Sequence, residues 1–118
     1  MTSGQKLSNR NEERAMVYHH VTLKIRYGQI ARFHEAMAHV VPVMEKEFGW
    51  KLVGAWDTLV GRLFTVIDLW EIPDANSIQV VAGAYHHPEI VKWAPVLAEC
   101  IEEEVFQLLT PAPYSPIE

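Results

Sequence analysis

The chain has 118 residues, of which 49% are hydrophobic and 21% charged, and its formal net charge is −5. This length suits one packed domain, and the single cysteine, Cys100, excludes an intrachain disulfide and a multi-cysteine zinc site. The negative charge and scattered basic residues argue against nucleic-acid binding, which needs clustered Lys and Arg. No apolar stretch approaches the roughly 20 residues that span a bilayer. We therefore expect a cytoplasmic protein that binds neither nucleic acid nor membrane.

Polar and proline-rich ends flank the predicted domain. Residues 1–15 carry no apolar periodicity and no secretory signal, which predicts a disordered N-terminal tail. Residues 111–118 form a Pro-rich C-terminal tail. One domain is expected between them, over residues 16–110.

The first two elements are a strand and a helix. From Met16 to Tyr27 apolar and polar side chains alternate, which predicts a strand with one dry face that Gly28 ends. From Ile30 to Phe48 apolar residues recur every three or four positions, which predicts an amphipathic helix closed by Gly49. Pro42 lies inside this pattern, so we expect a kink or a break there.

Two further strands follow as a hairpin. Trp50 to Asp57 and Phe64 to Trp70 are rich in β-branched and aromatic residues, and Thr58 to Leu63 joins them. Asp74 is placed to cap a second helix that extends to Tyr85.

The last elements are a helical segment and a strand. His87-Pro88 interrupts the second helix, because a residue before proline avoids the helical conformation. Apolar residues between Ile90 and Ile101 predict a further helical piece, and Glu102 to Leu109 a fourth strand.

The order of elements indicates an α+β fold. A βαββαβ order with right-handed crossovers produces a ferredoxin-like, four-stranded antiparallel sheet of order 4-1-3-2 with both helices on one face. The other face would carry mixed side chains such as Tyr18, Thr22 and Ile67. A half-apolar bare face is best covered by a second copy of itself, so we expect a homodimer that forms a dimeric α+β barrel.

Several segments resemble the NIPSNAP family over roughly residues 17–116. They are Lys51–Trp56, Gly61, Val66–Trp70 and Leu108–Pro116. The family resembles one branch of the dimeric α+β-barrel superfamily, and this likeness implies a small-molecule pocket between sheet and helices. Enzymes of the superfamily include cyclases, isomerases, monooxygenases and haem proteins.

The polar positions of the implied pocket differ from the family pattern. Val21 and Leu23 stand where NIPSNAP domains carry an Arg-x-Tyr pair, and Asp68 stands where they carry a His. The strand opening at His19 and the turn ending in His87-Pro88 also resemble the stress-responsive A/B-barrel branch. The residue that serves as the base in a plant cyclase of that branch corresponds to Ile90, so its mechanism does not carry over intact.

His19 and Asp68 are the strongest catalytic candidates. Each shares the apolar face of its strand, and the two strands should be adjacent. A carboxylate that binds an imidazole raises its basicity, which suits a general base. Tyr85 and His86, at the predicted helix break, are the opposing acid candidates. Burial of His19 and Asp68 as ordinary hydrogen-bonded core residues is the alternative.

The remaining candidates line a predicted ligand pocket. They are His20, Trp56, Trp70, His87 and Trp93. The tryptophans suit a planar apolar ligand, although aromatic residues at these spacings also form ordinary cores. Adjacent histidines seldom share an ion, so we expect neither a metal site nor a cofactor.

Three functions follow from these residues. The first is a cofactor-independent acid–base enzyme, of isomerase or cyclase type, that acts on an apolar or aromatic metabolite. The second is a non-catalytic ligand-binding or protein-interaction module. The third is a haem- or metal-dependent monooxygenase, which would need His86 or His87 as an axial ligand.

Overall fold

The computed structural model describes residues 17–79 and 83–117. The strands are β1 (Val17–Ile25), β2 (Lys51–Asp57), β3 (Thr65–Ile72) and β4 (Ile101–Leu109), and the helices are α1 (Ile30–Phe48), a short 3-10 helix (Ala75–Gln79) and α2 (Pro88–Cys100). The predicted tail over residues 1–15 lies outside the described residues.

The four strands form one antiparallel sheet in the order β2-β3-β1-β4. This is the predicted order read from the opposite edge, and the ferredoxin-like α+β fold is confirmed. Strands β1 and β3 lie side by side at the centre, where the predicted pocket residues are placed. The core between sheet and helices is built from apolar side chains such as Leu23, Phe33 and Ile72, each at most 4% exposed.

Helix α1 runs without interruption from Ile30 to Phe48, so of the kink or break predicted at Pro42 the break is wrong. Pro42 lies on the exposed side, while buried residues before and after it, Val40 and Met44, anchor both halves of the helix to the core. Gly49 ends the helix with a φ of 70°, a left-handed conformation that glycine adopts at little cost.

The connection from β3 to α2 differs from the predicted long helix. A 3-10 helix, Ala75–Gln79, follows Asp74, whose carboxylate accepts a hydrogen bond of 3.1 Å from the Ser77 N–H, as a cap does, and residues 83 and 84 are α-helical. Residues 80–82, which carry part of the predicted apolar stripe, lie outside the described residues. The predicted interruption before Pro88 is confirmed, because His87 is extended and α2 begins at Pro88.

A bulge in β2 changes which face its later residues occupy. Leu52 pairs with Trp70, but Gly54 pairs with the next residue of β3, Leu69, so Val53 is an extra residue. Side chains beyond Val53 therefore point to the opposite face from the one that simple alternation gives. This shift determines the position of Trp56.

None of the helices in residues 17–79 and 83–117 is long and apolar enough to cross a membrane.

Candidate functional site

A cavity of about 500 Å³ lies between the helix-facing side of the sheet and the two helices. Its wall is mostly apolar and aromatic, and His19, Asp68, Tyr85 and Glu104 are its polar members. An apolar cavity of this volume with a few convergent polar groups is the usual form of a small-molecule site.

The sheet register places His19 and Asp68 in this one cavity. On the two central strands Val21 pairs with Asp68, and His19 pairs with Trp70. The two candidates are therefore diagonal neighbours on one face, which separates their backbones by roughly 7–8 Å. His19 is 7% exposed and Asp68 3%. Within the described residues no ion pair joins them, so the structure brings them to a common cavity without forming the predicted dyad.

Burial makes Asp68 a weaker acid than an ordinary aspartic acid side chain. Removal from water raises the pKa of Asp68 to about 6, with smaller contributions from the negative charges of Glu104 and Asp57. The charge of His34 acts in the opposite direction and does not compensate. A carboxyl group with this pKa exchanges its proton near neutral pH, as a general acid or base requires.

His19 lies among aromatic rings. Its ring centroid is 5.2 Å from that of Trp50 and 4.9 Å from that of Phe106. Burial, and to a lesser extent the neighbouring charge of His20, lowers the pKa of His19. The imidazole is therefore neutral at pH 7, and its Nδ1 atom has no hydrogen-bond partner among the described residues.

Trp50 and Glu104 belong to the cavity wall, although the sequence pattern did not single them out as site residues. Trp50 is 3% exposed, and its Nε1–H lacks a partner among the described residues. Glu104 is the last of three consecutive glutamates, and it pairs with Leu23 on the helix-facing side. The signal for Glu104 was its alternation with Phe106 and Leu108, which share that side.

A second cavity of about 340 Å³ adjoins the first. Phe33, Met37 and Asp68 line both, so Asp68 stands at their junction. The second cavity also contains an imidazole–carboxylate contact, with 2.8 Å between His34 Nε2 and Asp57 Oδ1. The type of pair predicted for His19 and Asp68 thus occurs between two other residues, nearer to solvent.

Tyr85 and Trp70 also line the main cavity. Trp70 is 4% exposed and forms part of its aromatic wall, while Tyr85 is 58% exposed and stands at the mouth. His86, the other acid candidate, lies in the exposed turn before α2 and lines neither cavity.

Four other candidates lie away from the two cavities. His20 pairs with Leu69 on the opposite sheet face, and the β2 bulge places Trp56 on that face too. His87 caps α2, because its Nδ1 accepts a hydrogen bond of 3.2 Å from the Glu89 N–H. Trp93 stacks on His39, with ring centroids 4.4 Å apart. Their predicted binding roles would require ligand contacts outside both cavities.

Within residues 17–79 and 83–117 no three His, Cys, Asp or Glu side chains are grouped closely enough to hold a metal ion.

Comparisons with known proteins give a consistent family and fold. Residues 18–116 match the family model described as NIPSNAP. No curated protein matches the chain.

Solved structures share the fold at low sequence identity. A NIPSNAP family protein from Agrobacterium tumefaciens is 21% identical, with a TM-score of 0.78, and the match covers 87% of this chain and 99% of that one. An uncharacterised NIPSNAP domain protein from Burkholderia xenovorans is 19% identical, with a TM-score of 0.72 and coverage of 85% and 98%. A Bordetella bronchiseptica protein, provisionally named an antibiotic biosynthesis monooxygenase, is 13% identical, with a TM-score of 0.68 and coverage of 83% and 98%. At these identities the likeness shows the fold alone.

Proposed function

This chain belongs to the NIPSNAP family, and we propose that its domain is a cofactor-independent acid–base enzyme that acts on an uncharged apolar or aromatic metabolite. The observation that carries this proposal is the burial of two ionisable side chains, His19 and Asp68, on the wall of one largely apolar cavity of about 500 Å³. Burying such groups is costly, and buried groups with perturbed pKa values cluster at functional sites.

In the proposed reaction Asp68 transfers the proton. Above pH 6 its carboxylate accepts a proton from a C–H or O–H group of the ligand, and its low exposure keeps competing water away. His19, neutral because burial lowers its pKa, orients the ligand through a hydrogen bond. Tyr85 at the mouth is the acid candidate that remains beside the cavity.

Hydrogen–deuterium exchange tests this function without knowledge of the product. A panel of uncharged aromatic ketones, phenols and terpenoid ketones is incubated with the protein in D₂O, and exchange at activated C–H positions is followed by NMR. We expect at least one compound to exchange faster than in buffer. Asp68→Asn should abolish the acceleration, whereas Glu71→Gln, a carboxyl on the opposite face of the same strand, should preserve it.

Other outcomes of this experiment decide between the alternatives. Binding without exchange by any compound would favour the non-catalytic ligand-binding module and contradict the enzyme. Neither binding nor exchange would contradict both. The positions of His86 and His87, the predicted axial ligands, do not support a haem-dependent reaction, because these residues line neither cavity.

The opposite sheet face supports a further part of the proposal, a homodimer. Trp56 and Val105 on this face are 54% and 50% exposed, an arrangement that a second copy would cover symmetrically. Val105→Lys should convert a dimer to a monomer in analytical ultracentrifugation, while Glu35→Lys, on the exposed side of α1, should not. A wild-type monomer at micromolar concentration would contradict the dimer. A cytoplasmic location likewise stays a prediction.

A further inference from the structure

Two buried nitrogen atoms on the cavity wall lack hydrogen-bond partners. They are Nε1 of Trp50 and Nδ1 of His19, in side chains that are 97% and 93% buried. Buried polar groups in folded proteins are nearly always paired, so an unpaired one calls for a specific explanation. Both rings line the main cavity, and their centroids are 5.2 Å apart.

Trp93 supplies an internal comparison. Its Nε1 is also buried and unpaired within the described residues, but its ring stacks on His39 and lines neither cavity. A partner delivered by a cavity ligand can therefore reach Trp50 and not Trp93.

The charge of the cavity restricts what that partner can be. The ionisable groups on its wall include Asp68 and Glu104, whereas no Lys or Arg of the described residues lines it. A carboxylate or phosphate ligand would meet negative charge with no cation to offset it. Two N–H donors with no cation beside them are best matched by an uncharged oxygen of the ligand, which accepts hydrogen bonds without adding negative charge.

We propose that Trp50 and His19 together bind the carbonyl oxygen of an uncharged aromatic ketone. Trp50 donates from Nε1, and His19 donates from Nδ1 in the tautomer that carries its proton there. Because both nitrogens are buried beside the cavity, binding in this way requires the two rings to turn toward the oxygen. This inference rests on the proposed function and names the substrate class of the same site.

The arrangement supplies both halves of an enolisation. Asp68 takes a proton from the carbon next to the carbonyl, and the C–H electron pair forms a C=C bond. The former C=O π pair then resides on oxygen, where the two N–H donors stabilise the negative charge. Asp68 returns the proton to the same carbon, or to a conjugated one, which regenerates the carboxylate and releases the ketone or its isomer.

Three probes of nearly equal shape test the oxygen contact. They are acetophenone, α-methylstyrene, in which a methylene group replaces the carbonyl oxygen, and benzoate, which carries a charge. The protein has four tryptophans, so its indole N–H signals are few enough to follow by ¹H–¹⁵N NMR. Trp50→Phe and Trp93→Phe assign the two signals of interest. If Trp50→Phe does not fold, contacts to the His19 and Trp70 rings assign the Trp50 signal in the wild type.

We expect acetophenone to shift the Trp50 indole signal downfield and to leave the Trp93 signal in place, while α-methylstyrene shifts neither in that direction. Trp50→Phe should weaken acetophenone by about two- to tenfold, the effect of one lost hydrogen bond, and leave α-methylstyrene within about twofold. Trp93→Phe should change neither affinity. Benzoate should bind more weakly than acetophenone.

Failure of this inference is distinguishable from failure of the proposed function. If acetophenone perturbs Met37 and Met44 in the cavity but not the Trp50 indole, the oxygen contact is wrong and cavity binding stands. Tighter binding of benzoate than of acetophenone would overturn the charge argument. If none of the three probes perturbs the cavity methionines, the proposed small-molecule site itself is contradicted.

Discussion

Two pairs of histidine and aspartate lie on the helix side of the sheet, and they differ in contact and burial. His34 and Asp57 are in contact at 2.8 Å, with side chains that are 48% and 56% exposed. His19 and Asp68 are almost completely buried but form no ion pair with each other within the described residues. The exposed pair, His34 and Asp57, is hydrogen-bonded, whereas the buried pair, His19 and Asp68, is not.

The comparison shows that burial, more than a hydrogen bond, prepares these groups for chemistry. An exposed ion pair is screened by water and contributes at most about 1 kcal/mol. Burial instead raises the pKa of Asp68 to about 6, which brings it toward neutral pH, and lowers the pKa of His19, which keeps that imidazole uncharged. The unbonded pair is therefore the better acid–base candidate, and a ligand completes its hydrogen bonds.

The largest expected effect concerns Asp68 and pH. Because its pKa is about 6 in the folded state, against an ordinary value of 3.8, the folded state holds the proton more tightly than the unfolded chain does. Stability from this group is complete below pH 3.8, falls as pH rises to about 6, and is lost above that value. Asp68→Asn should therefore stabilise the domain by up to about 3 kcal/mol at pH 8 and by much less at pH 4.

Urea denaturation at the two pH values measures this difference. Glu71→Gln is the matched control, since Glu71 lies on the same strand but on the other face, and its effect should remain within about 0.5 kcal/mol. An equal effect of Asp68→Asn at pH 4 and pH 8 would mean that the Asp68 carboxyl does not titrate in the folded protein with a raised pKa.

A smaller effect is expected from His19. His19→Leu removes the unpaired Nδ1 and retains a side chain of similar bulk, but it also loses the contacts with the Trp50 and Phe106 rings. A buried unpaired polar atom costs about 1–3 kcal/mol, and an aromatic contact contributes about 0.5–1.5 kcal/mol. The gain and the two lost contacts oppose each other, so the net change in stability should remain within about 1 kcal/mol in thermal denaturation at pH 7.

The control for His19 is its neighbour on the opposite face. His20→Leu should change stability by less than about 0.5 kcal/mol, because His20 is only half-buried there. A marked destabilisation by His19→Leu alone would indicate that its imidazole is a bonded core residue, which was the alternative role for His19.

Alternation and helical periodicity were sufficient to predict the elements and their order. The dry face of β1 and the glycine after Phe48 each have a direct sequence signal, and the order βαββαβ leaves few topologies. The common face of His19 and Asp68 followed from the same alternation, because neither central strand has a bulge between them.

What the sequence did not predict depends on register and on distant contacts. The bulge at Val53 moves the Trp56 side chain to the opposite face of the sheet, and the alternating sequence pattern does not indicate that an extra residue is present. His34 and Asp57 are 23 residues apart, and they meet only because α1 packs beside the end of β2. The diagonal offset of His19 from Asp68 is likewise a property of strand pairing, which composition does not encode.

The smallest expected effect is the coupling between His34 and Asp57. A double-mutant cycle with His34→Ala and Asp57→Ala should give about 0.2–1 kcal/mol, because both side chains are about half exposed. Raising the salt concentration from about 0.15 M to about 1 M shortens the screening length from about 8 Å to about 3 Å, so the coupling should decrease. Chemical denaturation with urea, which adds no ions, measures it at both concentrations. A coupling above about 2 kcal/mol that is unchanged by salt would show that this pair is shielded from water, and the contrast between an exposed bonded pair and a buried unbonded one would no longer hold.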